Sequence, residues 1–168
     1  MDRPRCSALE KAMRLLTVSA RTERELTKKL LNSGYGPTET AAAVEECRKR
    51  GYVNDELFAS DFTVSGIDRG SGPRLIRQKL LRRGIDRELA LQTLEEHGDL
   101  EESGARRALE FKWKMLSREQ DPYKKKMKAF RFLAGRGFSP ELAARLIREM
   151  AALDAQETED DEPMEMPL

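Results

Sequence analysis

The sequence has few of the residues that build metal centres, disulfide frameworks or membrane spans. Its 168 residues include two cysteines, Cys6 and Cys47, and one histidine, His97. The cysteines lack metal-ligand spacing, so no metal site or cofactor is expected, and free thiols in a reducing, cytoplasmic setting are the simplest reading. No run of roughly 18 uninterrupted apolar residues occurs, which predicts no membrane span. No cationic start followed by an apolar core marks an export signal. Strand-like alternation is missing as well, so no sheet is expected.

What the sequence does have is helical period, three times over. Hydrophobic residues make up 39% and charged residues 36%, a balance that suits small helical units with much solvated surface. K-L-L-N-S-G-Y at Lys29 to Tyr35 recurs as K-L-L-R-R-G-I at Lys79 to Ile85, 50 residues on, and as F-L-A-G-R-G-F at Phe132 to Phe138, a further 53 on. Counting back from the shared glycine, apolar residues hold the same three places: Leu26, Leu30, Leu31; Ile76, Leu80, Leu81; Ala129, Leu133, Ala134. Counting forward, Ala41 and Val44 match Leu91 and Leu94, and Ala144 and Ile147. Such steps keep one helix face apolar. Three copies, each with a longer helix before the shared pair, predict an all-α protein of three tandem three-helix repeats and about nine helices.

Local signals place the helices. Ser7 to Glu10 and Thr22 to Glu25 have capping-box spacing, and Asp99 to Glu102 repeats it. Thr38 is expected to open the third helix, and Asn54 the fourth, with Asp55 and Glu56 at its positive end. Pro73, Pro122 and Pro140 stand at first-turn positions, whereas Gly34 and Gly84 end helices. Gly66, Gly70 and Gly72 read as a flexible joint, because no strand precedes them and no G-K-[ST] follows, as a phosphate loop requires. The expected boundaries are residues 1–52, 53–98 and 99–153 for the repeats and 154–168 for an acidic, disordered tail.

The net charge of +1 hides an asymmetry. All 31 Lys and Arg lie before Met150, whereas seven of the 30 acids follow it, so the body carries an excess of eight cations. The most one-sided stretch is the helix between Pro73 and Gly84, where Arg74, Arg77, Lys79, Arg82 and Arg83 alternate with leucine and isoleucine and no acid intervenes. These five cations are the first candidate contacts for a partner, since cations meet phosphates or acidic protein surface. Trp113, Lys124, Lys125, Lys126 and Lys128 are the second candidates, from F-K-W-K and Y-K-K-K-M-K-A-F-R-F. Aromatics interleaved with lysines stack on bases and neutralise phosphates. Phe111, Met115, Phe130 and Leu133 are expected in the core, Trp113 and Phe132 at the surface.

Catalytic chemistry finds no footing in the sequence. His97 holds the place of Cys47 and Met150 in the other repeats, which makes it a packing or cap residue. No two acids are paired in an apolar setting that would tune them for acid–base work. A binding protein, not an enzyme, is expected.

Three features together resemble the RecX family of bacterial recombination regulators. They are G-Y-V-N-D-E-L-F-A at Gly51 to Ala59, the G-x-x-x-I-x-x-x-L-x-x-x-G-I register from Gly72 to Ile85, and the tandem three-helix organisation. The resemblance spans about Ala8 to Leu153 and is most specific in the middle repeat. It implies an elongated array of homeodomain-like repeats that binds the RecA filament on single-stranded DNA. It further implies suppression of strand exchange and of RecA's ATP hydrolysis, in DNA repair and SOS control. The chain is expected to act as a monomer. Of the motif residues, Gly51, Tyr52, Asp55, Phe58 and Ala59 read as structural: Asp55 starts its helix, and Tyr52 and Phe58 fill the joint between repeats. The other reading is a general helical DNA-binding module with only an indirect effect on recombination.

Overall fold

Ser7 opens the first helix through the predicted reciprocal cap. Its hydroxyl accepts from the Glu10 N–H, and the Glu10 carboxylate accepts from the Ser7 N–H. Thr22 and Glu25 do the same for the second. The structure, a computed structural model, describes residues 6–160. Among those residues it has nine helices and no strand: α1 Ala8–Val18, α2 Glu23–Asn32, α3 Pro37–Lys49, α4 Asp55–Asp68, α5 Pro73–Arg83, α6 Arg87–Glu96, α7 Leu100–Met115, α8 Pro122–Gly135 and α9 Pro140–Asp160. None of them is long and apolar enough to cross a membrane.

Three helix ends differ from the sequence reading. α3 starts at Pro37 with Gly36 as its cap, so Thr38 lies inside the first turn. Asp99 makes no side-chain cap: its backbone is already helical, at φ −62° and ψ −24°, where a capping residue is extended. α9 runs on to Asp160, through residues 154–160 that were expected in the tail; Ala155 and Gln156 are good helix formers and extend it. The rest of the tail lies outside the described residues.

The repeat register holds at its glycines. Gly34, Gly84 and Gly137 all have φ near +90°, at 89°, 95° and 89°, a conformation that side chains with a Cβ resist. The next residue then turns back under the helix: Tyr35, Ile85 and Phe138 donate to the carbonyls of Leu30, Leu80 and Leu133. All three side chains are buried. This is a helix stop with its accompanying apolar contact, used three times.

Only two of the three register leucines are core. Leu26 and Leu30, Ile76 and Leu80, and Ala129 and Leu133 are fully buried, whereas Leu31 and Leu81 are 42% and 38% exposed. Residues four apart on a helix lie about 40° apart, and a fifth step swings about 140° off the first. In the following helix Val44 and Ile147 are buried as expected and Leu94 is half-buried, but the first place is shifted back by one. Thr40, Ala90 and Ala143 are buried there, while Ala41 is exposed and Leu91 and Ala144 are half-buried.

The chain divides into two compact units: Met1–Ser65 with Ile76–Gly98, and Gly66–Leu75 with Asp99–Leu168. In the first, Leu26, Leu30, Tyr35, Val44, Cys47 and Val53 form a core with Ala8 and Ala12. In the second, Leu109, Trp113, Leu133, Phe138, Leu146 and Ile147 form another. The second unit also holds the Gly66–Gly72 stretch, and here the expected flexible joint is instead a docked turn. The Gly72 N–H donates to the Arg136 carbonyl at 2.8 Å, and the Arg74 N–H to that of Gly137 at 3.2 Å. A Cβ on Gly72 would stand 2.4 Å from the backbone of Gly137 and Phe138, so backbone meets backbone there.

Candidate partner-binding face

α5 turns Ile76 and Leu80 inward and most of its cations outward. At about 100° per residue, Arg74, Gln78, Leu81 and Arg82 share one arc of roughly 100°, with Arg77 and Lys79 on its flanks. Arg74, Arg77, Lys79 and Arg82 are exposed, and none has an ion pair among the described residues. Leu81 sits among them, an apolar spot in a cationic surround. Uncompensated guanidinium and ammonium groups beside an exposed leucine can take phosphates or acidic side chains while burying apolar area.

Arg83 is different, and it leaves the list of free cations. Its Nε and Nη2 donate to the two oxygens of Glu25 at 2.7 and 2.9 Å. Its guanidinium lies 4.4 Å from the Phe58 ring centroid and 5.6 Å from that of Phe62, and these two rings stack at 5.9 Å. The Thr22 hydroxyl donates to the Arg83 carbonyl at 2.6 Å. Burial alone would raise the Glu25 carboxyl, but the hydrogen bonds from Arg83 and the Thr22 N–H bring it below its ordinary value.

The family-motif residues surround this knot. Asn54 caps α4 by accepting from the Leu57 N–H at 2.9 Å. Asp55 does not serve its own helix alone: it accepts from the Glu23 N–H at 2.9 Å, the start of α2. Burial pushes Asp55 up, against that hydrogen bond, and burial with Asp55 close by pushes Glu23 up too. Ala59 is fully buried, Phe58 half-buried, and Gly51 takes a φ of 71° after α3. Tyr52, expected to fill the joint, is 49% exposed. His97 caps the end of α6, with Nε2 2.9 Å from the Ser60 hydroxyl.

The second set of candidates separates in the same way. Trp113 is 7% exposed and belongs to the core, whereas Phe111 and Met115 are each 64% exposed, the reverse of the sequence expectation. Trp113 continues the buried stripe of Ala105, Leu109 and Leu116 at helical spacing; Phe111 stands about 200° away from Trp113. That stripe was present in the sequence and would have decided the matter. Lys125 is committed: its ammonium lies 4.4 Å from the Trp113 ring and 2.6 Å from Asp154, with its side chain 13% exposed. Lys128 pairs with Glu119 and Lys124 with Asp121. Lys126 is exposed without an ion pair among the described residues. Phe132 is half-buried between two cations, Lys112 at 5.5 Å and Arg136 at 5.0 Å.

Three tandem three-helix repeats with a cationic, leucine-centred face on the middle one define an all-helical repeat protein. The models of the first, second and third three-helix domains of RecX match residues 8–47, 54–94 and 101–147 in that order. The chain belongs to the RecX family. It is 34% identical over 144 residues to the Regulatory protein RecX of Legionella pneumophila strain Corby, covering 85% of this chain and 94% of that one. It is 30% identical over 163 residues to the Regulatory protein RecX of Escherichia coli O9:H4, covering 85% and 91%. The crystal structure of RecX from Lactobacillus salivarius shares the fold with a TM-score of 0.76 at 20% identity, over 86% of this chain and 95% of that one.

Proposed function

We propose that the chain is a non-enzymatic regulator that binds the RecA filament on single-stranded DNA and restrains its ATP hydrolysis and strand exchange. Membership of a family whose curated members are named regulatory proteins supports a regulator. The observation that carries the contact surface is α5: Arg74, Arg77, Lys79 and Arg82 are exposed without an acid partner among the described residues. A filament groove holds both DNA phosphates and acidic protein surface, and a cationic helix with a leucine at its centre fits both. Weak contacts from successive repeats then add through effective concentration. Of the third repeat's candidate lysines, Lys126 is exposed without an ion pair among the described residues. Arg83, Lys125 and Trp113 are committed to contacts within the chain.

The test is RecA's ATP hydrolysis on single-stranded DNA, with the parent chain and with the Arg77→Gln, Lys79→Gln, Arg82→Gln triple variant. The parent lowers the rate, and the triple variant does so several-fold less well at unchanged thermal stability. Equal inhibition by both would move the contact surface off α5.

A further inference from the structure

α7 has a second face besides the stripe it sends into the core, and that face is covered only in its first half. Gly104 lies against Ile67, where a Cβ would stand 2.6 Å from the Ile67 Cγ2. Ala108 lies against Gly70, whose own added Cβ would stand 3.0 Å from that of Ala108. Phe111 and Met115 continue the same arc of about 60°. There the cover ends, and each is 64% exposed.

The fold of a repeat does not need an apolar group at this place. The first helices of the repeats share the buried pairs Ala8 and Ala12, Ala59 and Thr63, and Ala105 and Leu109. Two residues beyond each pair stand Arg14, Ser65 and Phe111, all exposed. The first two repeats are built with polar residues there. In the third, an exposed phenylalanine and methionine lie side by side, one helical turn apart, and such a pair marks a contact surface.

The surround is cationic. Lys114 lies about 60° round the helix from Phe111, and Lys112 about 60° from Met115, one on each side of the pair. Neither has an ion pair among the described residues. The Lys112 ammonium rests 5.5 Å from the Phe132 ring, which the Arg136 guanidinium also approaches, at 5.0 Å. The Arg136 Nη1 donates to the carbonyls of Arg69 and Gly70 instead of to a carboxylate. Of the acids nearby, Asp68 is taken by Arg107, and Glu110 stands about 100° away from Phe111.

An acidic peptide and a single strand of nucleic acid would both meet these cations, and the aromatic geometry favours the peptide. A strand is held by successive rings on which its bases stack. Here Phe132 already has Lys112 and Arg136 against its ring, which leaves Phe111 with a thioether for a neighbour. An unbranched methionine beside a phenylalanine moulds to an aliphatic or aromatic side chain. Unpaired ammonium groups on either side take carboxylates.

We infer that the Phe111–Met115 face binds an acidic peptide segment of a partner protein. An apolar side chain of that segment seats on Phe111 and Met115, and its carboxylates meet Lys112 and Lys114. The contact is part electrostatic, so it weakens at high salt. This inference does not depend on the RecA reading.

The test uses the full chain and a panel of fluorescein-labelled peptides of about eight residues, each with two of Leu, Met or Phe set among Asp and Glu. Fluorescence anisotropy reads binding, and amide signals of the parent locate it. At least one peptide binds about tenfold better than its matched controls, in which Ser replaces the apolar pair or Asn and Gln replace the acids. That peptide shifts the signals of Phe111, Lys112 and Met115. The Phe111→Ser, Met115→Ser variant binds it several-fold less well, and Lys112→Gln with Lys114→Gln flattens the salt dependence. Melting temperature and Trp113 fluorescence of both variants stay those of the parent, and the signal map on the parent stands by itself if either variant loses its fold. A panel in which no peptide outdoes its controls overturns the inference, as do shifts confined to other helices or binding that survives the double Ser substitution in a folded chain. If oligothymidylate shifts the Phe111 and Met115 signals while the peptides leave them untouched, the face is a nucleic-acid surface and the inference fails.

Discussion

Arg83 and Glu25 meet across 58 residues of sequence through two parallel hydrogen bonds, at 2.7 and 2.9 Å. The pair ties the end of α5 to the start of α2 over the stacked rings of Phe58 and Phe62. Both side chains are about one-quarter to one-third exposed, so solvent screens part of the interaction. Arg83→Gln should cost about 1–2 kcal/mol in chemical denaturation, less than a fully buried charged pair would.

The same pair makes a pH prediction. Glu25 sits below its ordinary value, so its stabilising effect is present above the usual glutamate range and is lost as pH falls through the depressed folded value. The stability gap between the parent and Glu25→Gln should therefore be flat above pH of about 5 and narrow progressively in more acid solution. A gap that widens on acidification would contradict the assignment of Arg83 as the cause.

Leu80 and Leu81 are neighbours with different roles. Leu80 is fully buried, Leu81 38% exposed on the cationic arc. Leu80→Ala should cost about 2–5 kcal/mol. Leu81→Ala should cost less than about 1 kcal/mol, yet weaken partner binding. Equal losses of stability would put both leucines in the core.

Gly72 and Gly135 supply a steric contrast. A Cβ on Gly72 would meet backbone at 2.4 Å, whereas one on Gly135, the last residue of α8, meets nothing within 4 Å. Gly72→Ala should destabilise by about 1–3 kcal/mol through overpacking. Gly135→Ala should stabilise by about 0.4–1 kcal/mol by restricting the unfolded chain. Melting temperatures of the two variants against the parent decide both.

Local information carried the fold a long way. Capping boxes at Ser7 and Thr22 and three positive-φ glycines are written in neighbouring residues, and they formed as the sequence says. What stayed hidden depends on residues distant in sequence. The acid nearest to Arg83 along the chain, Asp86, caps α6, and the partner Arg83 takes lies on α2. Asp55 looks like a cap for its own helix until α2 presents the Glu23 N–H to it. Gly66 to Gly72 looks loose because the backbone of Gly137 that packs on Gly72 is contributed from far down the chain. The exchange of Phe111 and Trp113 is of another kind: two aromatics 200° apart on one helix compete for one core, and only the full stripe from Ala105 to Leu116 ranks them.

The central claim is that the cationic face of α5 engages RecA-coated single-stranded DNA. It is tested most directly by equilibrium binding to a bare and to a RecA-coated strand at matched salt, with the parent and the Arg77→Gln, Lys79→Gln, Arg82→Gln variant. The account predicts a marked preference of the parent for the coated strand, and a several-fold loss of that binding in the variant with a shallower salt dependence. Equal affinity of the parent for both strands would make the chain a general DNA-binding module, and unchanged binding by the variant would remove α5 from the interface.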